Sequence, residues 1–112
     1  MSDRMLRVNS ILREVLAEEI ERLSDERLEF VTVTGVDTSP DLRHAVVYID
    51  VLRDEQRDEA VAALNKAAPR LRGLVGRQVR MKYTPELRFE MDPGVVSGTR
   101  IEQLLRGLGE EE

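Results

Sequence analysis

The spacing of apolar residues alternates between helical and extended along the chain, and each switch marks an element. From about Asp3 to Leu23, the residues Val8, Leu12, Val15, Leu16, Ile20 and Leu23 recur at three- and four-residue intervals. That is one face of an amphipathic helix, with Ser2 or Asp3 available as N-cap and Ser24-Asp25 as its end. Phe30 to Val36 is β-branched and alternating, which predicts a strand with a bulge at Gly35. Ser39-Pro40-Asp41-Leu42 is a turn, with Pro40 where a preset φ is wanted. Ala45, Val47, Ile49 and Val51 then alternate with His44, Val46, Tyr48 and Asp50 as the second strand of a hairpin.

Between Glu55 and Gly76 the apolar residues Val61, Leu64, Ala68, Leu71 and Val75 hold one helical face straight across Pro69. A proline is unfavourable inside a helix and well tolerated at the first position of a new one. The pattern therefore predicts two helices joined by a kink at Ala67-Ala68-Pro69, with Gly76 as C-cap. Val79, Met81 and Tyr83 alternate with Arg80 and Lys82 as a third strand, interrupted at Pro85 and resumed by Leu87, Phe89 and Met91. A short helix near 99–105 closes one domain, residues 1–106, and residues 107–112 form an acidic disordered tail. The order is α-β-β-α-kink-α-β. It predicts an α+β fold, a three-stranded sheet with helices packed on one face. This is also the order of a type II KH domain, a fold that binds single-stranded RNA.

Composition removes most chemistry. The 112 residues include no cysteine, which excludes disulfides, thiolate zinc sites and a cysteine nucleophile. The single histidine, His44, falls on a surface strand position with no Ser-His-Asp set around it. There is no glycine-rich phosphate loop, and Asp37 to Asp41 lacks the glycine and bidentate glutamate of a calcium loop. No enzyme activity, cofactor, metal or small-molecule substrate is expected. No run approaches the ~18 apolar residues of a membrane span. Arg4, Arg7 and Arg13 interleave with apolar residues as in a transit peptide, but acids follow from Glu14, so the segment reads as the start of a helix. A cytoplasmic monomer without membrane contact is expected.

Charge changes the picture once it is placed. Seventeen Lys and Arg against 22 Asp and Glu give a net charge of −5, which speaks against nucleic acid when taken whole. Between Lys66 and Arg88, however, seven basic residues face one acid, a net +6; the remaining ten basic and 21 acidic residues carry −11. At about 100° per residue, Lys66, Arg70, Gly73 and Arg77 share a face within about 60°, opposite the apolar series. Arg80 and Lys82 fall on one face of the predicted third strand. Arg4 and Arg7 open the first helix, while Glu14, Glu18, Glu21 and Asp25 form a face towards its end; both placements oppose the helix macrodipole. The simplest reading of each group is a solvated helix back. The sharper one is a cationic RNA-binding surface made of Arg4, Arg7, Lys66, Arg70, Arg72, Arg77, Arg80 and Lys82. The alternative is a protein-interaction module docking through the acidic face of the first helix. Gly73-Leu74-Val75-Gly76 matches a GxxG backbone clamp, but its apolar middle reads as a helix end. Phe30, Tyr48, Tyr83 and Phe89 are few and mostly in core register, which disfavours base stacking.

With these elements placed, the chain resembles the ribosome-binding factor A family over about residues 4–105. The resemblance rests on Arg4-Met5-Leu6-Arg7-Val8, on Val31-Thr32-Val33-Thr34-Gly35-Val36 leading to Ser39-Pro40-Asp41-Leu42, on Ala45-Val46-Val47-Tyr48 and on Leu71-Arg72. Its most specific piece is Pro85-Glu86-Leu87-Arg88-Phe89 followed by Asp92. The resemblance implies a KH-like fold that binds the small ribosomal subunit and its rRNA during assembly. It also implies a role in 16S rRNA processing and maturation near the 5′ end and in growth in the cold, without enzyme activity. In this family an Ala-x-Gly kink replaces the GxxG loop. Here the position reads Ala67-Ala68-Pro69, so the alanine is kept and the glycine is a proline.

Overall fold

The computed structural model describes residues 3–94. Helix α1 spans Asp3–Arg22, strands β1 and β2 span Thr32–Thr38 and His44–Asp50, helix α2 spans Arg57–Gln78 and strand β3 spans Glu86–Met91. The sheet order is β1-β2-β3, with β1 antiparallel and β3 parallel to β2. This is the α+β, KH-like arrangement read from the sequence. Ser2, the closing helix near 99–105, the end of the domain and the acidic tail fall outside the described residues.

Local chemistry explains the first three elements. Ser24 takes a left-handed φ of 51° just beyond the end of α1. Asp25 then accepts the Arg27 backbone N–H at 2.9 Å and caps a single 3₁₀ turn, Glu26–Leu28. The Arg27 side-chain hydrogen bond, followed by that backbone bond, holds the Asp25 carboxyl below its usual range. In the hairpin the register shifts between Val33 and Gly35, the bulge that Gly35 suggested. The turn closes where Leu42 N–H donates to the Ser39 carbonyl at 2.9 Å. Leu42 holds a φ of 64° with its side chain buried. The left-handed leucine costs about 1–2 kcal/mol, and burying its side chain contributes about 1.5–3 kcal/mol in return.

One core joins all five elements. Leu12, Leu16 and Ile20 of α1 and Leu64, Leu71 and Val75 of α2 meet Val33, Val47, Ile49, Leu87 and Phe89 on one face of the sheet. Phe89 is only 1% exposed. On the opposite sheet face His44, Glu86 and Arg88 are exposed, and Val46 and Tyr48 are half-buried. His44 lies beside Glu86, with Nδ1 and Oε2 3.7 Å apart.

Three expectations need correction. First, α2 is a single helix with Pro69 inside it, not two helices divided at Ala67-Ala68-Pro69. Leu64 and Ala68 before the proline and Leu71 and Val75 after it are buried in the same core. That shared burial outweighs the roughly 3 kcal/mol an interior proline costs. Second, the third strand begins only at Glu86. An earlier start has no ladder partner, because β2 begins at His44 and the Glu86 N–H already reaches the Arg43 carbonyl. Third, Gly76 is not the C-cap, since α2 continues to Gln78. A Cβ at Gly76 would stand 3.1 Å from Thr84 Oγ1, so the glycine permits a close approach of the segment that follows the helix.

Candidate nucleic-acid interface

The continuity of α2 keeps the basic ridge in register. Lys66, Arg70 and Arg77 are all exposed on the face opposite Leu64, Leu71 and Val75. Gly73 lies among them with open space around the position a Cβ would fill, which leaves backbone accessible between the cations. Gly73-Leu74-Val75-Gly76 is helical throughout, with Val75 in the core, as its apolar middle indicated.

Arg72 points to the flank of the helix rather than along the ridge. Its Nε donates to the Thr84 carbonyl at 3.0 Å and ties the 79–85 connection to α2. Arg80 and Lys82 are exposed on that connection instead of on a strand. The connection brings Lys82 to a cleft of about 580 Å³, which is also lined by Arg4, Arg43, Asp41 and Tyr83. The Arg43 guanidinium carbon lies 4.4 Å from the Tyr83 ring centroid and Lys82 Nζ lies 5.6 Å from it. Two cations thus share one aromatic ring, each contact contributing about 0.5–1 kcal/mol at an exposed site. Asp41 is committed inside the turn: it accepts from Ser39 Oγ at 2.7 Å and from Arg43 N–H at 3.1 Å. The Ser39 bond above all, and then the Arg43 bond, hold its carboxyl below the usual range.

The structure therefore forms two cationic groupings, the α2 ridge of Lys66, Arg70 and Arg77 and the cleft of Arg4, Arg43 and Lys82. Arg7 lies one turn along α1 from Arg4, and neither Arg7 nor Arg80 lines the cleft. None of Arg4, Arg7, Lys66, Arg70, Arg72, Arg77, Arg80 and Lys82 forms an ion pair with a described residue. By contrast Arg22, Arg27, Arg57 and Arg88 sit against Glu19, Asp25, Asp54 and Glu90. Arg88, counted in the basic segment, is thereby neutralised. Sequence reasoning missed Arg43, which lies outside that segment, and Tyr83, whose alternation placed it in the core. Tyr83 is 39% exposed and Phe30 is 68% exposed, so of the four aromatics only Phe89 is fully buried.

Among the described residues there is no cluster of His, Asp and Glu arranged to hold a metal ion, and no helix is long and apolar enough to cross a membrane. The family model of ribosome-binding factor A matches residues 4–105. The ribosome-binding factor A of Rubrobacter xylanophilus is 45% identical over an alignment covering 100% of this chain and 93% of its own length. The crystal structure of ribosome-binding factor A from Thermus thermophilus superposes with a TM-score of 0.73 at 37% identity, covering 78% of this chain and 94% of that one. A homology model of the Thermus thermophilus factor, fitted into a cryo-EM map of its complex with the 30S subunit, gives 0.67 at 35% identity and covers 79% and 94%. The full-length match, the shared fold and the sequence identity together place this chain in the ribosome-binding factor A family.

Proposed function

We propose that this protein binds the small ribosomal subunit during its assembly and promotes maturation of 16S rRNA, including processing near the 5′ end and growth in the cold. The contact is to folded rRNA, through Arg4, Arg7, Lys66, Arg70, Arg72, Arg77, Arg80 and Lys82, joined by Arg43. The observation that carries this reading is the grouping of exposed cations without ion pairs on the α2 ridge and around the Arg4–Arg43–Lys82 cleft, beside family members that include one fitted into a 30S complex. Like charges left without counter-ions weaken the compact state slightly and attract phosphate strongly. The mechanism is phosphate contact and shape fit, holding one rRNA conformation against others, rather than catalysis. Tyr83, gripped by Arg43 and Lys82, offers an aromatic edge for an unstacked base. The protein works in the cytoplasm as a monomer, without cofactor.

Co-sedimentation with purified small subunits tests this. The variant with Arg70→Glu, Arg77→Glu and Arg80→Glu should keep its circular dichroism and thermal transition, since all three side chains are exposed, yet fail to co-sediment. Undiminished co-sedimentation would remove the surface named here.

A further inference from the structure

A groove of about 830 Å³ runs between the outer flank of α1 and the start of β1. Ala17 and the small exposed edges of the core residues Ile20, Leu28 and Val33 give it apolar walls, and Glu14, Glu21, Glu26 and Glu29 rim it against Arg13 alone. Phe30, also lining it, is 68% exposed and holds a left-handed φ of 62°. An aromatic residue in that region of backbone space costs about 1–2 kcal/mol, and the exposed ring contributes little core burial in return. The φ places Phe30 third in a type II turn, closed where Val31 N–H donates to the Leu28 carbonyl at 3.2 Å, and the turn holds the ring out beside the groove. The adjoining β1 is an edge strand, the kind of border along which extended chains dock.

The charge of the rim chooses the occupant. A carboxylate-lined groove repels RNA and attracts cations, and its apolar walls ask for aliphatic side chains between them. We propose that this groove docks an extended, lysine- and arginine-rich segment of a protein partner, with Phe30 as the apolar anchor and Glu14, Glu21, Glu26 and Glu29 as counter-charges. The groove shares no lining residue with the cationic cleft, and its occupancy does not depend on RNA binding.

A fluorescent peptide of alternating lysine and valine, titrated against the full chain, tests this by anisotropy, with backbone amide NMR shifts locating the site. Saturable binding is expected, with shifts at Ala17, Phe30, Val31 and Thr32. Phe30→Ala removes a ring already in solvent and should raise Kd about fivefold or more. Glu21→Lys combined with Glu29→Lys should raise it about tenfold or more. Glu18→Lys, exposed on α1 but outside the groove, should leave Kd within about twofold. An equal loss with Glu18→Lys would reduce the binding to diffuse attraction and overturn the proposal. So would equal binding of a glutamate–valine peptide, or shifts confined to another surface. Binding seen only after removal of residues 95–112 would give the groove to the chain's own C-terminal segment and overturn it as well. Concentration-dependent dimerisation abolished by Phe30→Ala would give the groove to a second copy, which equally overturns the proposal.

Discussion

Asn65 lies at the surface of α2, yet both ends of its carboxamide are engaged by one residue of β3. Its Oδ1 accepts the Phe89 N–H at 2.9 Å and its Nδ2 donates to the Phe89 carbonyl at 3.1 Å. Alternate residues of β3 turn their backbone groups towards β2, as the Glu86 and Asp92 N–H bonds show, so those of Phe89 point the other way. Asn65→Ala leaves both groups without their partner and should lower stability by about 1–3 kcal/mol in urea denaturation. A change below a few tenths would mean that water replaces the amide at no loss. Glu19 plays a comparable part: although only 5% exposed, its Oε1 accepts from Arg22 at 3.0 Å and from Gln78 of α2 at 2.8 Å. Neither role was visible in the sequence. A polar residue beside an apolar stripe reads as solvent-facing, and only the approach of a second element makes it a link.

Elements whose patterns are local were legible. The periodicity of α1, the Ser39–Leu42 turn and the Gly35 bulge each follow from residues within a few positions of one another. The 79–85 connection was not. Its alternation of Val79, Met81 and Tyr83 with Arg80 and Lys82 suits a strand, but a strand also needs a neighbour, and β2 begins too late to supply one. Pro69 misled for the opposite reason: local chemistry favours a break, and burial on both sides of the proline holds one helix. Pro69 is exposed, so Pro69→Ala restores a missing helical donor without disturbing the core. It should raise stability by about 2–2.5 kcal/mol, the helix gain of roughly 3 kcal/mol less the entropy returned to the unfolded chain. A lower thermal midpoint would show that the proline shapes α2 in a way an alanine cannot.

The whole molecule separates its charge by surface. Cations occupy the α2 ridge and the Arg4–Arg43–Lys82 cleft, and carboxylates rim the groove beside Phe30. The eight cations could be named from the sequence but not placed, because Arg4 comes to Lys82, beside the Arg43 that the sequence did not single out, only through the fold. With about five phosphate contacts, the logarithm of the affinity for small subunits should fall against that of salt concentration with a slope of roughly −3.5 to −4.5. A flat salt dependence measured by filter binding would contradict the electrostatic contact. The grip of Asn65 on Phe89 also matters beyond one molecule. Filaments built by edge-to-edge strand pairing need two open borders in every subunit, so that each addition leaves a site for the next. Here a strand joining β3 would first have to displace the carboxamide, and any pairing through β1 would stop at two copies. The protein is thereby protected from polymerising edge to edge.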